Sequence, residues 1–181
     1  SKKFSNFFEM SLSRALETIK EMFVHREYND IKEDDKFLYA TKPNDGELIC
    51  VFKKIINKPD TDEVKEIFKI LNDKKINHGL IIIENEPTNC ATKTISQNKI
   101  IGTKVEIFRV DCLQFNITKH SLYCPHKQLS VKESIEFKKK WGDNLPLILR
   151  TDPVCKFFNF QSGRIIEITR ENNYVSYRLV S

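Results

Sequence analysis

Glycine is scarce in this sequence of 181 residues, with five in all, and tryptophan occurs once. The glycines nowhere cluster into a loop that could cradle phosphates, so nucleotide-binding motifs of that kind are excluded. No apolar run approaches the roughly 18 to 20 residues that span a bilayer. The first residues lack the charged, apolar and small-residue succession of a secretory signal, and the expectation is an intracellular, soluble protein with no membrane partner. Five cysteines, Cys50, Cys90, Cys112, Cys124 and Cys155, are odd in number and far apart. They suit reduced thiols in the cytosol or nucleus better than a disulfide framework.

Paired metal-ligand spacings are missing as well. Cys112, His120, Cys124 and His126 fall within fifteen positions, but a structural zinc site brings its ligands in close pairs, because a tight knuckle must aim two of them at one ion. No metal and no other cofactor is expected. Nothing marks a Ser, Cys or His as an activated nucleophile. A metal-dependent nuclease would need a carboxylate two residues before a strand-end lysine to hold the cation and polarise water. In Cys50-Val51-Phe52-Lys53 that position is Val51. Glu84 and Glu86 read as solvated carboxylates after a strand, so nuclease-like DNA processing remains the alternative and not the main reading.

The residues that are present suffice for an ordinary folded protein. Hydrophobic residues make up 40%, enough for a packed core, and a net charge of +5 permits nucleic-acid contact without requiring it. Phe8, Leu12, Ala15, Leu16, Ile19, Met22 and Phe23 recur at helical steps, predicting an amphipathic helix from Phe4 to about Arg26. Lys36 to Ala40 and Glu47 to Lys53 flank the turn formers Pro43-Asn44-Asp45-Gly46, as in a β-hairpin. Asp60 or Thr61 starts a second helix whose apolar face is Val64, Ile67, Phe68 and Leu71. The run Gly79 to Ile83 predicts a strand covered on both faces. A turn at Pro87, another helix and a strand from Lys104 to Val110 follow.

Beyond Asp111 the elements shorten and Pro125, Pro146 and Pro153 interrupt them. Ser130 and Glu133 form a capping box for a helix ending at Trp141, whose Lys138-Lys139-Lys140 end complements the helix dipole. Two final strands, Arg164 to Arg170 and Tyr174 to Leu179, flank the turn signal Glu171-Asn172-Asn173. The expected class is α+β (mixed α/β): an N-terminal mixed-sheet domain over 1–110 with flanking helices, and a small α+β domain over 111–181.

Several segments of the C-terminal part occur in a specific order: Asn116-Ile117-Thr118-Lys119-His120, then Asn144-Leu145-Pro146 with Ile148, then Asp152-Pro153-Val154. Gly163 follows, with Ile165, Ile166, Ile168 and Arg170, and the series ends on Tyr174 and Tyr177-Arg178-Leu179-Val180. In order and interval this resembles the shared fifth subunit of eukaryotic nuclear RNA polymerases, whose C-terminal domain also stands alone as a small subunit of the archaeal RNA polymerase. Thr18-Ile19, Arg26 and Tyr28 keep that family's spacing in the first helix, and Thr88-Asn89-Cys90-Ala91 stands where relatives carry Thr-Pro-Ser-Ala. The chain departs from the pattern in the proline of His120 to His126, one position late, and in a trimmed last hairpin.

The resemblance implies a non-catalytic subunit of DNA-directed RNA polymerase, acting in the nucleus. Its C-terminal domain would dock on the largest subunit among the other polymerase subunits, using Asn116, Thr118, His120, Pro146, Asp152, Pro153, Val154, Gly163, Arg170, Tyr174, Tyr177 and Arg178. Its N-terminal domain would form part of the jaw near downstream duplex DNA, with Thr88, Asn89, Cys90, Ala91 and Thr92 as the DNA-proximal turn. Such short polar side chains suit contact with the DNA backbone and not base reading. Relatives serve polymerases I, II and III alike, so the resemblance does not choose among them. A generic adaptor with no DNA role is the remaining alternative.

Overall fold

The computed structural model describes residues 2–44 and 46–181, with side chains from Glu9 onward. Asp45 of the expected hairpin turn and the Phe8 side chain of the expected helical stripe lie outside the described residues. The chain forms two compact units, residues 1–115 and 116–181.

In the first unit α1 (Lys2–His25) precedes β1 (Asn29–Glu33), β2 (Phe37–Thr41) and β3 (Leu48–Ile56); then come α2 (Thr61–Asp73), β4 (His78–Ile83), α3 (Asn89–Ile100), β5 (Lys104–Arg109) and a 3-10 turn at Asp111–Leu113. The sheet order is β1-β2-β3-β4-β5. β1, β2 and β3 are antiparallel, while β3, β4 and β5 are parallel, as the crossovers through α2 and α3 require. Alternation sends Cys50, Phe52, Ile81 and Ile83 to one face, where they meet Val64, Ile67, Phe68 and Leu71 of α2 and Ala91 of α3. Ile49, Val51, Leu80 and Ile82 go to the other face, and α1 packs against β3 with Ala15, Ile19, Met22 and Phe23 buried. Helices on both faces explain why β4 is apolar without alternation. Asp60 caps α2 by accepting from the Asp62 and Glu63 N–H groups. Gly79 lies against Leu71, whose Cδ1 would stand 2.8 Å from an added Cβ.

The second unit contains a 3-10 turn at Ile117–Lys119, β6 (His126–Gln128), α4 (Val131–Trp141), β7 (Leu147–Ile148), α5 (Pro153–Phe158), β8 (Ile165–Thr169), a 3-10 turn at Glu171–Asn173 and β9 (Val175–Val180). Its sheet order is β6-β8-β9-β7. The capping box of α4 is complete, with the Glu133 N–H on Ser130 Oγ at 3.2 Å and the Ser130 N–H on Glu133 Oε2 at 2.7 Å. Ile166, Ile168 and Val180 of the sheet cluster with Cys155 and Phe160 beside α5.

The short 3-10 turn after β5 belongs to the first unit. Leu113 is buried, and the Gln114 side chain donates to the Ser11 and Val110 carbonyls at 3.1 and 2.7 Å.

Candidate subunit and nucleic-acid interfaces

The turn expected near DNA sits between the carboxyl end of β4 and α3. Thr88 is the N-cap of α3, its Oγ1 accepting from the Ala91 N–H at 3.2 Å. Thr92 Oγ1 donates to the Thr88 carbonyl at 3.1 Å. Ala91 is fully buried in the α2-side core, while Asn89, Cys90 and Thr92 are exposed. Of the five residues, one therefore serves packing, two hold the cap, and Asn89 and Cys90 present free faces. Glu84 and Glu86 are exposed on the same loop.

Lys53 lies near carboxylates without forming a metal site. Its Nζ donates to the Asp34 carbonyl at 2.8 Å and stands 4.0 Å from Glu33, which pairs with Lys20 at 3.1 Å. Val51 is a fully buried core residue. Among the described residues no group of three or more His, Cys, Asp or Glu side chains gathers to hold an ion.

The motif residues of the second unit mostly build its turns and caps. Asn116 is buried, and its Oδ1 accepts from the Thr118 N–H and hydroxyl at 2.9 and 2.7 Å. His120 Nδ1 accepts from the Leu122 N–H. The Pro146 carbonyl accepts from the Leu179 N–H at 2.9 Å. Asp152 caps α5 through the Val154 and Cys155 N–H groups, with Pro153 at the first helical position, where no N–H is needed. Gly163 has φ +79, and its N–H donates to the Val180 carbonyl. Arg170 reaches Ser176, Tyr177 donates to Glu167 at 3.0 Å, and Arg178 donates to the Leu147 carbonyl at 3.0 Å. Tyr174 is largely exposed.

A buried charge network in the first unit escapes a linear reading. Arg26, at the end of α1, makes a bidentate pair with Glu106 of β5 at 2.8 and 2.9 Å. Glu106 also meets His78 Nε2 at 2.6 Å, and His78 Nδ1 meets Glu47 at 2.9 Å. Tyr28 donates to Glu47 at 2.9 Å, and Lys104 pairs with it at 2.7 Å. Burial acts to raise the Glu106 carboxyl, but the Arg26 charge and the His78 and Arg26 hydrogen bonds outweigh it and hold the group at about 2. Glu47 is held well below the ordinary carboxylate range, first by its hydrogen bond to His78 and, against burial, by Lys104 and Tyr28. The Tyr28 hydroxyl is pushed upward by burial and by the carboxylate beside it. The network ties α1 to the amino-terminal ends of β4 and β5. The Thr88 turn is at the opposite end of the same strands.

The profile of the family described as RNA polymerase Rpb5, C-terminal domain, matches residues 115–180. A putative DNA-directed RNA polymerase subunit of Invertebrate iridescent virus 6 is 31% identical, over 93% of this chain and 98% of the relative. The chain belongs to the Rpb5 family. Its eukaryotic relatives include the RPABC1 subunit of DNA-directed RNA polymerases I, II and III in Caenorhabditis briggsae, 27% identical over 93% of this chain and 84% of the relative. The Dictyostelium discoideum counterpart is 26% identical over 93% and 96%. These alignments span both units, so the Rpb5 likeness extends well beyond the profile's 115–180. The metal-dependent nuclease alternative has no counterpart among these relatives, and Val51 closes it at the residue where it would begin.

Proposed function

We propose that this chain, a non-catalytic subunit of a DNA-directed RNA polymerase, divides its work between its two units. The second unit docks on the largest subunit. The first extends as a jaw element toward downstream duplex DNA, with the Thr88 to Thr92 turn nearest the phosphates. The observation that carries the reading is that the likeness to polymerase subunits runs over 93% of the chain, through both units. Action in the nucleus belongs to the same proposal.

The DNA contact is small by design of its charges. The first unit carries nineteen Lys and Arg against nineteen Asp and Glu, so it neutralises few phosphates, and non-specific affinity scales with that number through counterion release. Within a polymerase whose other subunits already hold the duplex, even a weak contact acts at high effective concentration. The α3 amino terminus, with exposed Asn89 and Cys90 beside it, favours a phosphate through its free N–H groups.

The test replaces Thr88, Asn89 and Thr92 with alanine in assembled polymerase. Assembly should persist, while downstream-DNA crosslinking weakens across a salt series with no change of sequence preference. Unchanged crosslinking at every salt concentration would leave the subunit with an assembly role alone. Failure of the wild-type chain to co-purify with polymerase subunits would remove the reading altogether.

A further inference from the structure

The sheet of the second unit has two unequal faces. Strand alternation sends Ile148, Ile166, Ile168 and Val180 to the side covered by α5. Leu147, Tyr177, Leu179 and Val175 point to the other side. α4 reaches that side through Phe137, whose ring lies 4.5 Å from the Tyr177 ring, yet α4 buries none of its own residues. Leu147 and Leu149 remain 57% and 62% exposed, and Trp141, one turn beyond Phe137, is 68% exposed. Apolar side chains left open together on one sheet face mark a recognition surface, unlike apolar residues scattered singly.

Charge indicates what covers it. The second unit holds eleven Lys and Arg against six Asp and Glu, so the whole net charge of +5 resides there. In the first unit, cations such as Lys20, Arg26, Lys104 and Arg109 are each matched with a carboxylate. On α4 and at the β7 edge, Lys139, Lys140, Arg150 and Arg178 have no carboxylate within ion-pair distance among the described residues. Hydrogen bonding indicates how it is covered. The Pro146 and Ile148 carbonyls accept from β9, which turns the Leu147 and Leu149 carbonyls to the open edge. Both are already used, by Arg178 at 3.0 Å and by the Asp152 N–H at 3.0 Å. A strand adding to β7 would find its acceptors taken, so a partner must dock through side chains on the face.

We propose that the open face around Leu147, Leu149 and Trp141 receives an apolar row flanked by carboxylates on the polymerase's largest subunit. The proposal rests on the reading that the second unit is the assembly unit, and it names the surface and the chemistry of its occupant.

The experiment uses the tagged full-length chain reconstituted with the polymerase subunits, scoring the largest subunit by mass. Leu147→Ser with Leu149→Ser should lower its capture at least about tenfold, as expected when central apolar anchors are removed. Lys139→Glu with Arg150→Glu should lower capture too, and most at low salt. Ile100→Ser with Ile101→Ser, at an exposed apolar turn of the first unit, should leave it unchanged. If the serine pair unfolds the chain by circular dichroism, the charge-reversal pair decides. Wild-type capture matched by both variant pairs would overturn the proposal while leaving the assembly reading intact. A wild-type chain that captures no polymerase subunit would defeat the assembly reading itself. A wild-type dimer dissolved by the serine pair, with capture unchanged, would assign the face to a second copy and overturn the proposal.

Discussion

Replacing Glu106 by glutamine keeps the shape of the side chain and removes the charge on which the network around Arg26 is built. The pair is well buried, with the Arg26 and Glu106 side chains 4% and 15% exposed, so solvent screens it little. The Glu106 carboxyl is held at about 2 against an ordinary 4.5, which linkage converts to roughly 3 kcal/mol favouring the folded state at neutral pH. An independent route agrees: removing one partner of a buried ion pair costs about 3 to 5 kcal/mol, because the other charge stays desolvated. Glu106→Gln should therefore lose about 3 kcal/mol at pH 7. Because the folded-state value lies below the unfolded one, this stabilisation is complete above pH 4.5 and fades as pH falls towards 2. Wild type and variant should converge across that window.

The assay is urea unfolding with amide hydrogen exchange read at α1 and β4. Tryptophan fluorescence would not serve, since Trp141 lies in the second unit and reports on that unit alone. The double change Arg26→Met with Glu106→Leu should cost less than the two single changes summed, because it removes both charges together. A loss below about 1 kcal/mol for Glu106→Gln, or a wild-type advantage unchanged from pH 4.5 to pH 2, would refute the argument and reduce the network to incidental contacts.

Gly79→Ala should destabilise the first unit by about 1 to 3 kcal/mol, because its Cβ would lie 2.8 Å from Cδ1 of the fully buried Leu71; a melting temperature equal to wild type would show that Leu71 yields freely. In native protein at pH 8, a thiol reagent should modify exposed Cys90 and Cys112 first. Burial pushes Cys50 up to about 12 and Cys155 up to about 11, so both should react only as fast as their units unfold. Rapid native labelling of Cys155, read by peptide mass, would contradict the packing beneath α5.

Elements with strong local signals were legible in the sequence. The period of Ala15, Ile19, Met22 and Phe23 located α1, the β-branched run located β4, and Ser130 with Glu133 located α4. β1 was not legible, because Asn29 to Glu33 is exposed throughout and carries no alternation; only pairing with β2 makes it a strand. β6 and β7 are three and two residues long, below the length at which any period can be seen. The charge network left no local signal either, since Arg26 and Glu106 stand 80 positions apart and become neighbours only when α1 crosses the sheet. Arg26 and Tyr28 did stand out by their spacing in the first helix, and their shared role in the network gives that spacing a physical content.

The same contrast separates family from interface in the second unit. The positions that carry the resemblance are those the fold needs: Asp152 caps α5, Gly163 turns at positive φ, Pro146 holds β9, and Ile148 faces the core. Leu147 and Leu149, which flank Ile148 in sequence, point the opposite way and stay exposed. A strand reverses its side chains at every step, so one short segment carries two messages. The inward residues are constrained by packing that every relative must reproduce. The outward ones are constrained only by the surface they meet, and that surface belongs to another chain. Recognition of the family from Pro146 and Ile148 is therefore compatible with silence about the docking face, which becomes readable only once the strand's direction and the unpaired charges of Arg150 and Arg178 are known.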